Sequence, residues 1–458
     1  MEVVVHKVFG QVYIMTSLSR TGYLAPDTPE IRRELTVRPI VNGDFGVPPP
    51  AFKVFRTAKN GLCVPRFYGE NKFGEVLNDN RPEPTKIKVK FNGKLRDETF
   101  QNEAHKKAIE AGHGILSLPC GFGKTTVSLA IACTLGYRTM IVVHKEFLAN
   151  QWKERIEQFC PGSTVGIVQR DRKDVECDFV IAMLQSLSLK EYSFTDFDTV
   201  GTLIVDEAHH VCAKVFSQSL FKLCPKHIFG LSATPNRKDG LTKVLHWFMG
   251  PTFFAVEREN QKQVDVFPID FKCKRYEDPP PCTRFGKLSL ATMITELTES
   301  RLRNKLIINT IKRVTGGTRQ LLVLSDRRQH CEWLHEQFKE TSGLYMGGMK
   351  EEELVKSSEK QIIFATFSQA HEGLDIPSLD TVLLATPKSD IVQSIGRIMR
   401  ETYGRKNNPQ IYDIVDHWSV FFAMFQKRKK VYIQGGFKMP NVNEPSDELP
   451  KGKCLIEL

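Results

Sequence analysis

The chain has 458 residues, 41% hydrophobic and 26% charged, an ordinary globular composition that excludes a disordered, collagen-like or membrane-spanning protein. Its 64 Lys and Arg outnumber 53 Asp and Glu, and the formal net charge of +11 suits a phosphate-bearing partner as well as a merely basic soluble protein. At about 150 residues per domain the length accommodates about three domains, large enough to bury cores without disulfides or metals.

The 11 cysteines include no C-x-x-C pair, so no zinc site is expected. Met1 to Gly10 lacks the extended apolar stretch of a signal peptide. No run approaches the roughly 18 apolar residues of a spanning helix. The expectation is a reduced, soluble, intracellular protein without membrane contact.

Prolines and glycines crowd Pro39 to Pro50, and Pro82 and Pro84 follow. They punctuate residues 1–94, expected to form a small strand-rich accessory module with a role in binding nucleic acid. From Leu95 onward strands and helices alternate. Ile115–Leu118 reads as a buried strand, Thr126–Leu135 as a helix closed by Gly136, and Thr139–Val143 as a strand. Glu146–Phe159 reads as a helix with Leu148, Trp152, Ile156 and Phe159 on one face. Phe179–Met183, Thr202–Val205 and His227–Leu231 are further strands. Three prolines at 279–281 interrupt the pattern. It resumes with a helix over Arg303–Arg313, a strand over Leu321–Leu324 and a helix over Gln329–Phe338. Strands Ile362–Ala365 and Val382–Ala385, a helix over Ile391–Arg400 and a strand over Ile411–Val415 complete it. Such alternation builds βαβ units and parallel sheets. The expected fold class is therefore α/β, with two tandem units over 95–272 and 273–440 and a loose tail over 441–458.

Between the first strand and its helix lies Pro119-Cys120-Gly121-Phe122-Gly123-Lys124-Thr125-Thr126. A glycine-rich turn entering a helix presents backbone N–H groups to an anion. Lys124 then reaches β- and γ-phosphates, and Thr125 ligates Mg²⁺. The strict pattern has glycine where this chain has Leu118, and an ordinary βα turn is the plain alternative. Asp206 and Glu207 emerge from the end of the Thr202–Val205 strand, where open α/β sheets bind ligands. Asp206 suits holding Mg²⁺ and Glu207 suits orienting water; a solvated cap is the alternative. Ser232-Ala233-Thr234 follows another strand end as a hydroxyl relay or a simple turn. In the second unit Arg397 and Arg400 of Gln393-Ser394-Ile395-Gly396-Arg397-Ile398-Met399-Arg400 share a helical face. They suit transition-state charge on a γ-phosphate, or a solvated basic face.

In this order Gly123-Lys124-Thr125, Asp206-Glu207-Ala208-His209, Ser232-Ala233-Thr234 and Gln393-x-x-Gly396-Arg397-x-x-Arg400 resemble the motifs of superfamily 2 helicases of the DEAH type, from Leu95 to Asp416. Leu118-Pro119-Cys120-Gly121 and Ser232-Ala233-Thr234 with Arg237 and Asp239 resemble the XPB-type repair and transcription helicases. Helicases of large cytoplasmic DNA viruses and of the phage UvsW type are similar too. The XPB-type group carries Arg-Glu-Asp where this chain has Arg237-Lys238-Asp239. Leu35 to Val37, Pro65 to Gly69, and Tyr412 to Asp416 followed by Arg428 are similar to the viral members.

The resemblance implies two RecA-like domains with ATP in the cleft between them. The ATP-binding set would be Gln101 at the adenine, Pro119 to Thr126, Gly373 and Asp375, with Mg²⁺ on Thr125 and Asp206. Lys124, Asp206, Glu207, Arg397 and Arg400 would be catalytic, and His209, Ser232, Thr234 and Gln393 would couple hydrolysis to motion. Nucleic acid would meet Lys145, Gln185, Ser186, Arg237, Ser325, Arg327 and Thr366. The basic run Lys427 to Lys430, near Phe425 and Tyr432, reads as a duplex-holding patch or a solvated helix end. The implied activity is a monomeric ATP-dependent DNA helicase or translocase moving 3′ to 5′. Viral-type transcription or DNA repair, with proteins of those processes as partners, and a location in host cytoplasm or virion, with the nucleus as the alternative, go with it. An RNA helicase, and a nucleic-acid-binding scaffold with an inactive ATPase core, are the rival readings.

Overall fold

Short apolar runs without a polar face, such as Thr139–Val143 and Phe179–Met183, are buried along their whole length, as strands of a sheet covered on both faces must be. The computed structural model describes residues 6–8, 11–13, 16–40, 49–76, 78–119, 122–193, 195–212, 215–232, 239–256, 264–284, 286–372, 374, 376, 378–391, 394–395 and 407–439. The chain divides into two compact units, Met1–Glu257 and Arg258–Leu458.

The first unit holds an eight-stranded sheet in the order Arg172–Lys173, Val165–Gln169, Phe179–Met183, Thr139–Val143, Thr202–Val205, His227–Ser232, His113–Ser117, Thr252–Ala255. Its pairings are parallel, except that Arg172–Lys173 runs antiparallel. Helices Gln101–Ala111, Lys124–Leu135 and Glu146–Phe159 contribute to the apolar layer over one face, where Leu129, Trp152 and Ile156 meet Ile141 and Ile204.

The N-terminal stretch is strand-rich, with a five-stranded sheet built from Arg56–Ala58, Gly61–Val64, Gly22–Ala25, Ser17–Ser19 and Asn78–Asp79. Leu18, Tyr23, Leu62, Val64 and Tyr68 form its core. Its arginines fasten it to the larger sheet. Arg56 donates to Gln218 O (2.8 Å), Arg66 to Lys226 O (3.1 Å) and Arg81 to Pro225 O (2.8 Å). The Phe67 ring lies 4.4 Å from that of His113.

The second unit carries a six-stranded parallel sheet in the order Asp265–Phe271, Gln410–Asp416, Thr381–Leu384, Leu321–Ser325, Ile362–Thr366, Ser342–Tyr345. Asp265–Phe271, expected in the first unit, is an edge strand here. Pro268 sits opposite Asp413, and an edge tolerates a residue with no N–H to donate. The second unit, Arg258–Leu458, therefore begins earlier than the expected boundary at 273.

Two buried ion pairs brace this unit. Arg303 grips both carboxylate oxygens of Asp416 at 2.8 Å with both side chains 0% exposed. Arg428 does the same to Asp413 at 2.8 and 2.9 Å. Arg428 is thus core, not surface, and the expected basic run is split: Lys427 and Lys430 are exposed on either side of it. Among the described residues no helix is long and apolar enough to cross a membrane.

Candidate nucleotide site

Strand order brings three chemistry-bearing segments to one end of the first sheet. His113–Ser117 lies beside His227–Ser232, which lies beside Thr202–Val205, all parallel, with Ser117 level with Ser232. The residues following each strand therefore leave from the same edge.

Helix Lys124–Leu135 starts there. Its N-cap, Gly123, has φ +77° and offers no side-chain cap, so the first-turn N–H groups stay available to an anion. A Cβ on Gly123 would also lie 2.5 Å from Gln101 Nε2, so only glycine fits. Lys124 donates to Leu118 O at 3.1 Å, which holds its ammonium at the mouth of the turn. Leu118, standing where the strict pattern has glycine, is 0% exposed and belongs to the core. Its side chain packs while its carbonyl serves the turn.

Gln101 is placed differently from the expectation at adenine. It is 1% exposed. Its Oε1 accepts from Arg96 N (3.0 Å) and its Nε2 donates to Phe122 O (2.9 Å). Both ends of the amide hold the chain, so Gln101 is a brace beneath the turn. Of the expected ATP-binding set, Pro119, Phe122, Thr125 and Thr126 lie within the described residues. Cys120, Gly121, Gly373 and Asp375 lie outside the described residues.

Asp206 follows the Thr202–Val205 strand. Each of its carboxylate oxygens takes one N–H: Oδ2 accepts from Trp152 Nε1 and Oδ1 from Glu207 N, both at 2.9 Å. Burial, then the neighbouring Glu207 charge, pushes the Asp206 carboxyl up; the Trp152 bond and the Lys124 charge pull against them. Glu207 sits at φ +44°, a left-handed conformation that a non-glycine residue adopts at a strain characteristic of functional sites. Its Oε2 is buried, makes no hydrogen bond within the usual geometric limits among the described residues, and lies 3.4 Å from His209 Nδ1. The same His209 nitrogen lies 3.4 Å from Ser232 Oγ, so His209 and Ser232, expected to act together, are neighbours. The His210 ring lies tilted against those of His209 and His144, with ring centroids 4.4 and 4.0 Å away. Thr234, Arg237, Gln393, Arg397 and Arg400 lie outside the described residues.

The expected nucleic-acid contacts divide. Lys145 stands at the start of helix Glu146–Phe159, and burial pulls its ammonium pKa down. Gln185 donates to His144 O at 2.6 Å, and Ser186 accepts from Arg170 N at 3.0 Å, so both side chains tie loops together. In the second unit Ser325 is 0% exposed and therefore does not reach a ligand. Its hydroxyl bonds His330 Nδ1 (3.0 Å) and accepts from Arg327 N (3.1 Å). Arg327 donates to Ala291 O at 2.7 Å. Thr366, half-buried, bonds Ser368 at 3.2 Å.

Trp152 was legible only as one position of an apolar stripe. The signal it carried was its indole N–H, a donor that a buried tryptophan must satisfy.

These residues fit a magnesium nucleotide. An uncapped helix N-terminus and Lys124 suit phosphates, and the half-buried, doubly anchored Asp206 with Thr125 suits the metal. The ion would neutralise phosphate charge there. Among the described residues no cluster of three or more His, Cys, Asp or Glu could hold a metal ion.

Comparison with known proteins agrees. The family model described as "Type III restriction enzyme, res subunit" matches residues 94–237. A protein of Acanthamoeba polyphaga mimivirus, named as an ATP-dependent RNA helicase, is 33% identical over 446 residues, spanning 92% of this chain and 85% of that one. A protein of Invertebrate iridescent virus 6, named as a helicase, is 31% identical over 387 residues, spanning 76% of this chain and 83% of its own. The crystal structure of T4 UvsW aligns over 93% of this chain and 99% of its own, at 16% identity and a TM-score of 0.38. With helicases matched along most of its length, the chain belongs to the superfamily 2 helicases, ATP-hydrolysing enzymes that act on nucleic acid, and resembles those of large DNA viruses.

Proposed function

We propose that this helicase is a DNA motor that moves 3′ to 5′ and serves viral-type transcription or DNA repair. The observation that carries the motor reading is the convergence of Lys124, Asp206 and Glu207 at one sheet end, with His209 and Ser232 beside them. Lys124 and the helix N-terminus hold phosphate oxygens. Asp206 holds the metal. Glu207 orients and deprotonates the attacking water. Arg397 and Arg400 are proposed as the hydrolysis arginines, and His209 with Ser232 as the link from hydrolysis to the polymer. DNA as the track is supported by the XPB-type pattern Ser232-Ala233-Thr234 with Arg237 and Asp239. The net charge of +11 supports a polyanionic track of either kind.

RNA is the second reading, favoured by the names of the mimivirus relative and of an African swine fever virus relative, both called ATP-dependent RNA helicases. The deciding experiment is ATP hydrolysis by the full chain with single-stranded DNA, duplex DNA or RNA, beside Glu207→Gln. Stimulation by DNA that Glu207→Gln abolishes supports the first reading. Stimulation by RNA alone replaces it with the second. No hydrolysis with any polymer, while nucleotide still binds, rejects an autonomous motor.

A further inference from the structure

Trp152 is the one aromatic residue on the buried stripe of helix Glu146–Phe159 that also reaches a carboxylate of the nucleotide site. The stripe is Leu148, Trp152 and Ile156, at 8%, 2% and 0% exposure. Shape alone would be met by Phe or Leu at the middle position. The indole adds one polar atom to an apolar layer, and that atom lies 2.9 Å from Asp206 Oδ2. A buried N–H has to be satisfied, and this one is satisfied by the residue read here as the metal-holding carboxylate.

The two donors on Asp206 are complementary. Glu207 N is its own next residue and holds Oδ1 at 2.9 Å, so it cannot by itself set the rotation of the carboxylate about its chain. Trp152 lies 54 residues away on another element and clamps the other oxygen. Together they fix the carboxylate plane with one oxygen facing each donor, and each oxygen keeps a further lone pair for a metal ion. The helix that carries Trp152 follows strand Thr139–Val143, which pairs directly with the Asp206 strand in register from Thr139 opposite Thr202 to Val142 opposite Val205. The clamp is therefore mounted on the neighbouring βα unit, not on a mobile loop.

We propose that Trp152 is a positioning residue for the metal–nucleotide complex: its indole N–H orients the Asp206 carboxylate for the Mg²⁺ shell. The inference rests on reading Asp206 as the metal-holding carboxylate and deepens it. It is tested by calorimetric titration of the full chain with ADP, once with Mg²⁺ and once with EDTA. The variants are Trp152→Phe, which keeps the aromatic packing and removes the N–H, and replacement of Trp152 by benzothienylalanine, which keeps the full bicyclic shape with sulfur in place of N–H.

The expected result is a roughly tenfold loss in the Mg²⁺-dependent gain of ADP affinity in both variants, with affinity in EDTA unchanged within about twofold. The Mg²⁺ concentration for half-maximal ATP hydrolysis rises in parallel. An unchanged ratio of the two affinities overturns the proposal and leaves Trp152 as a packing residue. An equal loss in Mg²⁺ and EDTA overturns it too, because it reports general damage to the phosphate turn. If Trp152→Phe fails to fold, the isosteric replacement still decides. Wild-type chain that gains no ADP affinity from Mg²⁺ would reject Asp206 as metal holder, a different failure. ADP binding needs no polymer, so these outcomes are independent of the choice between DNA and RNA.

Discussion

Gln101 and Glu207 show two ways a single residue would serve the proposed nucleotide site. Glu207 accepts backbone strain at φ +44° and places a buried carboxylate oxygen 3.4 Å from His209 Nδ1. Gln101 works from beneath, joining Arg96 N to Phe122 O at 1% exposure. Gln101→Ala would leave both backbone groups without their partner. It should destabilise the first unit by about 1–3 kcal/mol, the usual penalty for orphaned buried polar groups. It should also weaken ADP binding, since the phosphate turn loses its brace. Urea denaturation with calorimetric ADP titration checks this, and wild-type stability in Gln101→Ala would remove the brace from the account. Gln101→Glu keeps the acceptor for Arg96 N and loses the donor to Phe122 O, so an intermediate loss is expected.

At the scale of elements, the second unit depends on polar links between helices and its sheet. Helix Arg301–Val314 sends Arg303 into the core, where it grips Asp416 and donates to Ala385 O at 2.7 Å, while Tyr276 donates to the same aspartate at 2.7 Å. Arg303→Ala leaves an uncompensated buried carboxylate and should cost about 3–5 kcal/mol in chemical denaturation. A loss under about 1 kcal/mol would mean that water replaces the guanidinium.

The same helix contributes Asn304, whose Oδ1 accepts from His330 Nε2 at 3.1 Å, while His330 Nδ1 accepts from Ser325. This chain of bonds needs a neutral imidazole. Burial, then the Arg303 charge, lowers the His330 pKa to about 3. The folded state thus refuses a proton that the unfolded chain takes up near pH 6.5. Stability contributed by this group is full above pH 6.5. It falls by about 1.4 kcal/mol per pH unit as pH drops from there toward 3. Denaturation curves between pH 7 and 4 should show a shallower fall for His330→Gln than for wild type. Parallel slopes would show that His330 does not carry the dependence.

For the whole molecule the excess of positive charge is the property that a single measurement reads. Binding of labelled single-stranded DNA or RNA should weaken steeply between about 50 and 200 mM salt, because each neutralised phosphate releases counterions. Lys145→Ala should reduce the slope of log affinity against log salt by about 0.7 if that ammonium meets a phosphate. Fluorescence anisotropy provides the measurement. An unchanged slope would take Lys145 out of the interface, as Ser325 is already taken out by its burial.

The amino-acid sequence by itself determined what is local. Thr139–Val143, Phe179–Met183 and Thr202–Val205 were readable end to end because uniformly apolar runs have few other places to go. The Gly123-Lys124-Thr125 turn and the Asp206-Glu207 strand end were readable because a phosphate turn and a carboxylate pair need neighbours only a few residues away. The edge strand Asp265–Phe271 was hidden, since Pro268 signals a breaker until one knows that the strand lies at the edge of its sheet. Tertiary structure alone decided which polar atoms meet across distance. Gln101 and Phe122 are 21 residues apart, Trp152 and Asp206 54, and Arg303 and Asp416 113. A buried donor announces in sequence that it needs an acceptor. Which acceptor it finds depends on strand order and helix crossover, and neither is encoded in the residues around it.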